Sequence, residues 1–146
     1  AILWLTLFRD KIDEIMEQVK CPVAVFVNRQ YREGTTVSFV FGGMIDLFLF
    51  SYLDKMLQNG HSVRLFLFDT DDEEFRGHID DLQVRYPEQT MIVWFAGVED
   101  LVTEEKDGLL IMSHLSYTKL SEDELSSLLV IRRNKNTGDK NEGLEN

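Results

Sequence analysis

Thr36-Val37-Ser38-Phe39-Val40-Phe41-Gly42-Gly43 is a short, mostly apolar run that stops at two glycines, and a helical pattern follows from Met44 to Asn59. Gly60 then stands where a helix end favours a left-handed residue, and Ser62-Val63-Arg64-Leu65-Phe66-Leu67-Phe68 opens a second apolar run. Strand, helix and strand in that order, with little polar alternation inside the strands, predict a parallel pair joined by a crossover helix. The pattern repeats in both directions. Thr90 to Phe95, Leu109 to Met112 and Leu128 to Ile131 read as further strands, and Pro22 to Val27 as an earlier one. Helices are expected over 6–20 with Thr6 as cap, over 71–86 between Asp71 or Asp72 and Pro87, and over 98–106. Another starts at Ser121, where Ser121-x-x-Glu124 is a capping box, while Ser113 and His114 fall in a loop. This alternation predicts a three-layer α/β fold, a doubly wound, mostly parallel, Rossmann-like sheet with helices on both faces. Residues 134–146 have almost no apolar content and are expected to be disordered.

The chain has 146 residues, enough for one globular domain, and its 26 acids against 15 bases give a net charge of −11. Such a charge opposes binding to phosphate backbones and anionic lipid, so neither a nucleic-acid partner nor direct membrane insertion is expected. The acidity is local: residues 69–124 hold 16 acids and four bases, and the remainder is close to neutral. A partner reading that surface would be cationic. Cys21 stands alone, so no internal disulfide can form and no Cys/His spacing suits zinc, which fits a reducing compartment. No run approaches the ~18 apolar residues that span a bilayer. The chain begins Ala1-Ile2-Leu3-Trp4-Leu5, apolar at once and without methionine, and reads as a piece of something longer.

Gly42 and Gly43 lie between a strand and a helix, where free N–H groups and the helix dipole can hold an anion, although paired glycines also serve simply to turn the chain. Asp46 falls in the first helical turn, where a carboxylate meets the dipole as a cap. Asp46, Asp54 and Gln58 mark the polar side of this helix, yet Leu47 and Phe50 lie beside them; either the fold covers both sides or these two form a docking surface. Asp69-Thr70-Asp71-Asp72-Glu73-Glu74 could hold a divalent cation, and Asp69-x-Asp71 has the spacing of haloacid-dehalogenase-type phosphatases. Glu73 stands where that family has Thr or Val, and no later Lys and acid pair follows, so a solvated acidic loop is the reading preferred. Of His61, His78 and His114, only His114 follows a strand end where α/β proteins place ligands. Neighbouring side chains diverge, so Ser113 and His114 do not make a nucleophilic pair.

The order of pieces resembles a known family. Cys21-Pro22-Val-Ala-Val-Phe-Val-Asn28-Arg29, a polar spacer, then Val37-Ser-Phe-Val-Phe41-Gly42-Gly43-x-x-Asp46 and Val63 to Phe68 are similar to the C-terminal cytosolic region of cation/proton antiporters of the sodium/hydrogen exchanger type. That region carries universal-stress-protein-like domains. Asp107-Gly-Leu-Leu-Ile111 looks like the fourth strand of such a unit, and Glu124 to Ile131 like its last helix and strand. The resemblance implies that residues 1–30 are the last helix and strand of a preceding unit and 31–133 a universal-stress-protein-like domain, followed by the tail. It further implies that strand 22–27 lies antiparallel beside 128–131, the one antiparallel strand of the sheet. The function implied is a non-catalytic regulatory or assembly domain on the cytoplasmic side of the cell membrane. Its partners would be the rest of the antiporter and a second copy of itself, with Gly42, Gly43, Asp46, Asp69, Ser113 and His114 as ligand-site candidates. The chain departs from the family where Ile45-Asp46-Leu47-Phe48-Leu49-Phe50 replaces a more charged segment. It also has no glycine between Gly108 and Gly138, where nucleotide-binding stress proteins carry a phosphate loop, so no nucleotide cofactor is expected. The alternative implied is a free-standing module for a nucleotide or other small ligand.

Overall fold

The computed structural model describes residues 3–6, 12–27, 32, 34, 36–68, 72–96, 108–118 and 127–133. In chain order these form β1 (Leu3–Thr6), α1 (Ile12–Gln18), β2 (Val23–Val27), β3 (Val37–Phe41), a 3-10 turn (Met44–Leu49) running into α2 (Phe50–Gln58), and β4 (Val63–Phe68). Then come α3 (Glu73–Arg85), β5 (Thr90–Phe95), β6 (Leu109–Ser113), α4 (His114–Thr118) and β7 (Ser127–Arg132). Seven strands make one sheet in the order β1-β2-β7-β6-β3-β4-β5. From β3 the chain moves outward through β4 and β5, returns to β6 on the other side of β3 and continues to β7. That is the doubly wound, Rossmann-like order, and every neighbouring pair is parallel except β2 with β7.

Strand alternation divides the core in two. Phe39 and Phe41 of β3, Leu65 and Leu67 of β4 and Ile111 of β6 face one side, where Leu49, Leu53, Leu57, Phe75, Ile79 and Leu82 from the helices cover them. Val40, Phe66, Leu110 and Met112 face the other side with Met16 of α1 and Tyr117 of α4. The layers are therefore helix, sheet and helix. Each fully buried Leu or Phe contributes about 1.5–3 kcal/mol, which is why strands covered on both faces carry almost no polar residue.

Local signals set several element ends. The Asp72 carboxylate accepts from the N–H groups of Glu74 (3.0 Å) and Phe75 (3.2 Å), capping α3, and Pro87 follows its last turn. Gly60 closes α2 at φ +89°, with the His61 N–H returning to the Met56 carbonyl.

Four expectations need correction. The helix predicted over 6–20 is shorter, Ile12–Gln18, and Thr6 is not its cap: Leu3–Thr6 is a strand that pairs in parallel with Val23–Phe26. The free edge of β2 offers a row of unpaired backbone groups, and an apolar tetrapeptide satisfies it. Consequently two strands of the N-terminal segment, not one, run against the rest, although β2·β7 (Val25 opposite Val130) is the single antiparallel pair, in the position expected. The helix predicted from Met44 begins instead as a 3-10 turn, with the Asp46 N–H bonded to the Gly43 carbonyl at 3.0 Å. Last, Ser113 ends β6 and His114 begins a short helix where a loop was expected, because the Ser113 hydroxyl caps it by accepting the Ser116 N–H at 3.1 Å. The helices expected over 98–106 and from Ser121, and the tail 134–146, lie outside the described residues.

Candidate functional site

β3 and β6 are neighbours from which the chain departs in opposite directions, so their C-terminal ends form the switch point where open α/β sheets bind ligands. Gly42 leaves β3 there and Ser113 ends β6. The tight 3-10 turn returns Asp46 beneath Gly42, and α4 brings Ser116 to the same place. Asp46 Oδ2 accepts from the Gly42 N–H at 2.6 Å and from Ser116 Oγ at 2.7 Å. Asp46 is 0% exposed, Ser113 and Ser116 are buried, and Gly42 is exposed, so the cluster lies directly under an open rim. Oδ1 of Asp46 is buried without a hydrogen-bond partner among the described residues.

Gly42 is required by close approach. A Cβ there would stand 2.9 Å from Ser116 Oγ and 3.3 Å from Asp46 Oδ2. Gly43, at φ +139°, needs glycine for its backbone instead. Gly42→Ala is expected to cost about 1–3 kcal/mol, since it forces Ser116 away from the carboxylate. Chemical denaturation checks this, and a loss under about 0.5 kcal/mol would mean that the hydroxyl rotates aside freely.

The electrostatics of the cluster favour positive over negative ligands. The Gly42 N–H, the donor that a phosphate would use, is already engaged by a carboxylate whose charge repels a second anion. Asp46 is thus more than a helix cap, since its bond to Ser116 joins positions 70 residues apart.

The other sequence candidates are dispersed. Ser113 serves as the cap of α4, and the His114 ring stacks on Tyr117 at a centroid distance of 6.4 Å. Leu47 and Phe50 are half-buried against the core; the Phe50 ring is 4.9 Å from Phe41 and 5.8 Å from His78. Asp69, with Asp71, lies outside the described residues. Among those described, no group of three or more His, Cys, Asp or Glu is placed to hold a metal, and no helix is long and apolar enough to cross a membrane. Ser116 was missed in the sequence, though Ser113-x-x-Ser116 has the spacing of a helix cap with its third residue.

A groove of about 430 Å³ opens at the opposite end of the sheet, lined by Thr36, Ser62, Arg64, Glu88 and Thr90 among others. It lies at the amino ends of β3, β4 and β5, away from the switch point, and carries both signs of charge. No protein-family model, curated protein or solved structure matches the chain, so its family membership is not given by comparison and the functional reading rests on its own residues.

Proposed function

We propose that the chain is a non-catalytic regulatory and assembly module of a membrane cation/proton antiporter, built on a universal-stress-protein-like plan and held on the cytoplasmic side. The observation that carries this reading is the β2·β7 junction. β1, α1 and β2 form a parallel unit running opposite to the doubly wound unit β3 to β7, and the two meet through their last strands, from Val23 opposite Arg132 to Val27 opposite Leu128. Universal-stress-protein-like units are expected to pair in that way. A binding role is supported by the switch point, where the polar side chains are committed to caps and to one another: Ser113 to the start of α4, Ser116 to Asp46.

The test is the reading frame upstream of Ala1. About ten or more apolar spans, each of roughly 20 residues, are expected there; a start codon close to Ala1 overturns the reading. A free-standing nucleotide-binding module is the competing reading, favoured by the completeness of the β3 to β7 unit with its own switch point. Calorimetric titration with ATP and AMP separates the two. No heat of binding is expected, because Asp46 occupies the phosphate's donor, and saturable micromolar binding would establish the competitor.

A further inference from the structure

We infer that the switch point seats one small monovalent cation, an alkali ion or a primary ammonium group, on Oδ1 of Asp46. Such an ion would be the signal to which the regulatory module responds, and to that extent the assignment rests on that reading. Asp46 is wholly buried, and its two hydrogen-bond donors both serve Oδ2. Among the described residues Oδ1 has no hydrogen-bond partner and no basic side chain pairs with this carboxylate. Withdrawing an ionised carboxylate from water is costly unless a counter-charge comes with it. The missing partner is therefore a cation or a strong donor.

The surroundings narrow the class. An anion is repelled by the carboxylate and finds the Gly42 N–H already bonded. A divalent ion prefers several carboxylates, and among the described residues no cluster of them stands here. One carboxylate balances one positive charge. The hydroxyl of Ser116 donates to Oδ2 and keeps lone pairs for an ion, and the Ser113 hydroxyl lies one hydrogen bond away through the Ser116 N–H. Entry needs only a short path, since Gly42 above the carboxylate is exposed.

The chain is unfolded thermally at fixed ionic strength, with choline chloride replaced in turn by sodium, potassium, ammonium and methylammonium chloride. At least one salt is expected to give a saturable rise in Tm of about 3 °C or more, and the alkali and methylammonium arms tell the two sources apart. Asp46→Asn keeps the shape of the side chain and should lose the rise. Equal Tm in every salt overturns the site, leaving Oδ1 served by water only. A rise that persists in Asp46→Asn overturns it as well, because the ion then binds elsewhere. Should Asp46→Asn fail to fold, calorimetry of the unmodified chain against Ser116→Ala decides: affinity for the active cation is expected to fall about tenfold, because the Ser116 hydroxyl beside the carboxylate is lost, and unchanged affinity overturns the assignment. A cation response in a protein without membrane spans would sink the antiporter and leave this site standing; an antiporter without the response does the reverse.

Discussion

Phe41→Ala is expected to lower the free energy of unfolding by about 3–5 kcal/mol, the largest effect of any single truncation considered. Phe41 ends β3 with no exposed surface, and its ring lies 6.3 Å from Phe39, 4.9 Å from Phe50 and 6.1 Å from Phe75. These neighbours come from the sheet, α2 and α3, so no single element can close over the vacated volume. The cost combines lost transfer energy with the unfilled cavity. Urea denaturation followed by circular dichroism measures it, with the midpoint falling and the slope unchanged if the native state stays compact. Phe41→Leu should recover more than half of the loss. A change below about 1.5 kcal/mol for alanine would show that the aromatic cluster collapses around the gap.

Arg132→Ala should cost about 2–3 kcal/mol, through a different mechanism. The guanidinium at the end of β7 donates to the carbonyls of Met16 and Cys21 (2.7 Å to the latter), while its Nε donates to the carbonyl of Arg133 at 3.0 Å. It therefore ties the end of α1 and the turn into β2 to the strand that β2 pairs with. Charged donors are worth about 1.5–3 kcal/mol per bond, reduced here because the side chain is only half-buried. Arg132→Lys keeps the charge but offers no planar fork, so it should restore less than half of the loss. Hydrogen exchange gives an independent readout: the amides of β1 and β2 are expected to lose protection before those of β3 and β4. Uniform loss across the sheet would mean that the two units open as one.

The strands β3, β4 and β5 were legible in the sequence within a residue of their observed ends. Buried on both faces, β3 and β4 need apolar side chains at nearly every position, while β5 at the sheet edge leaves Met91 and Trp94 exposed yet keeps a run of strand-forming residues, and Gly42, Gly60 and Pro87 punctuate the connections. The Asp72 cap was readable for the same reason, since its partners are two and three residues away. β1 was not legible: four residues, Leu3-Trp4-Leu5-Thr6, cannot declare themselves strand or helix, and the edge of β2 decides for them. The 3-10 start of the second helix was also hidden, because Asp46 joins Ser116 from the other side of the switch point. At the site, Gly42, Gly43, Asp46 and Ser113 were picked out by spacing, whereas their convergence on a buried carboxylate with one unserved oxygen was not.

The sequence by itself determined the alternation of strands and helices, the punctuation between them, the concentration of acid in residues 69–124 and the lack of any glycine between Gly108 and Gly138. These are properties of neighbouring residues and their counts. Only the tertiary structure decided the strand order, the reversal of β1 and β2 against the rest, and the burial of Asp46 under an exposed glycine. The reason is physical: a cap or a periodicity depends on residues within one turn, whereas the partner of a carboxylate 70 positions away depends on which strands lie side by side.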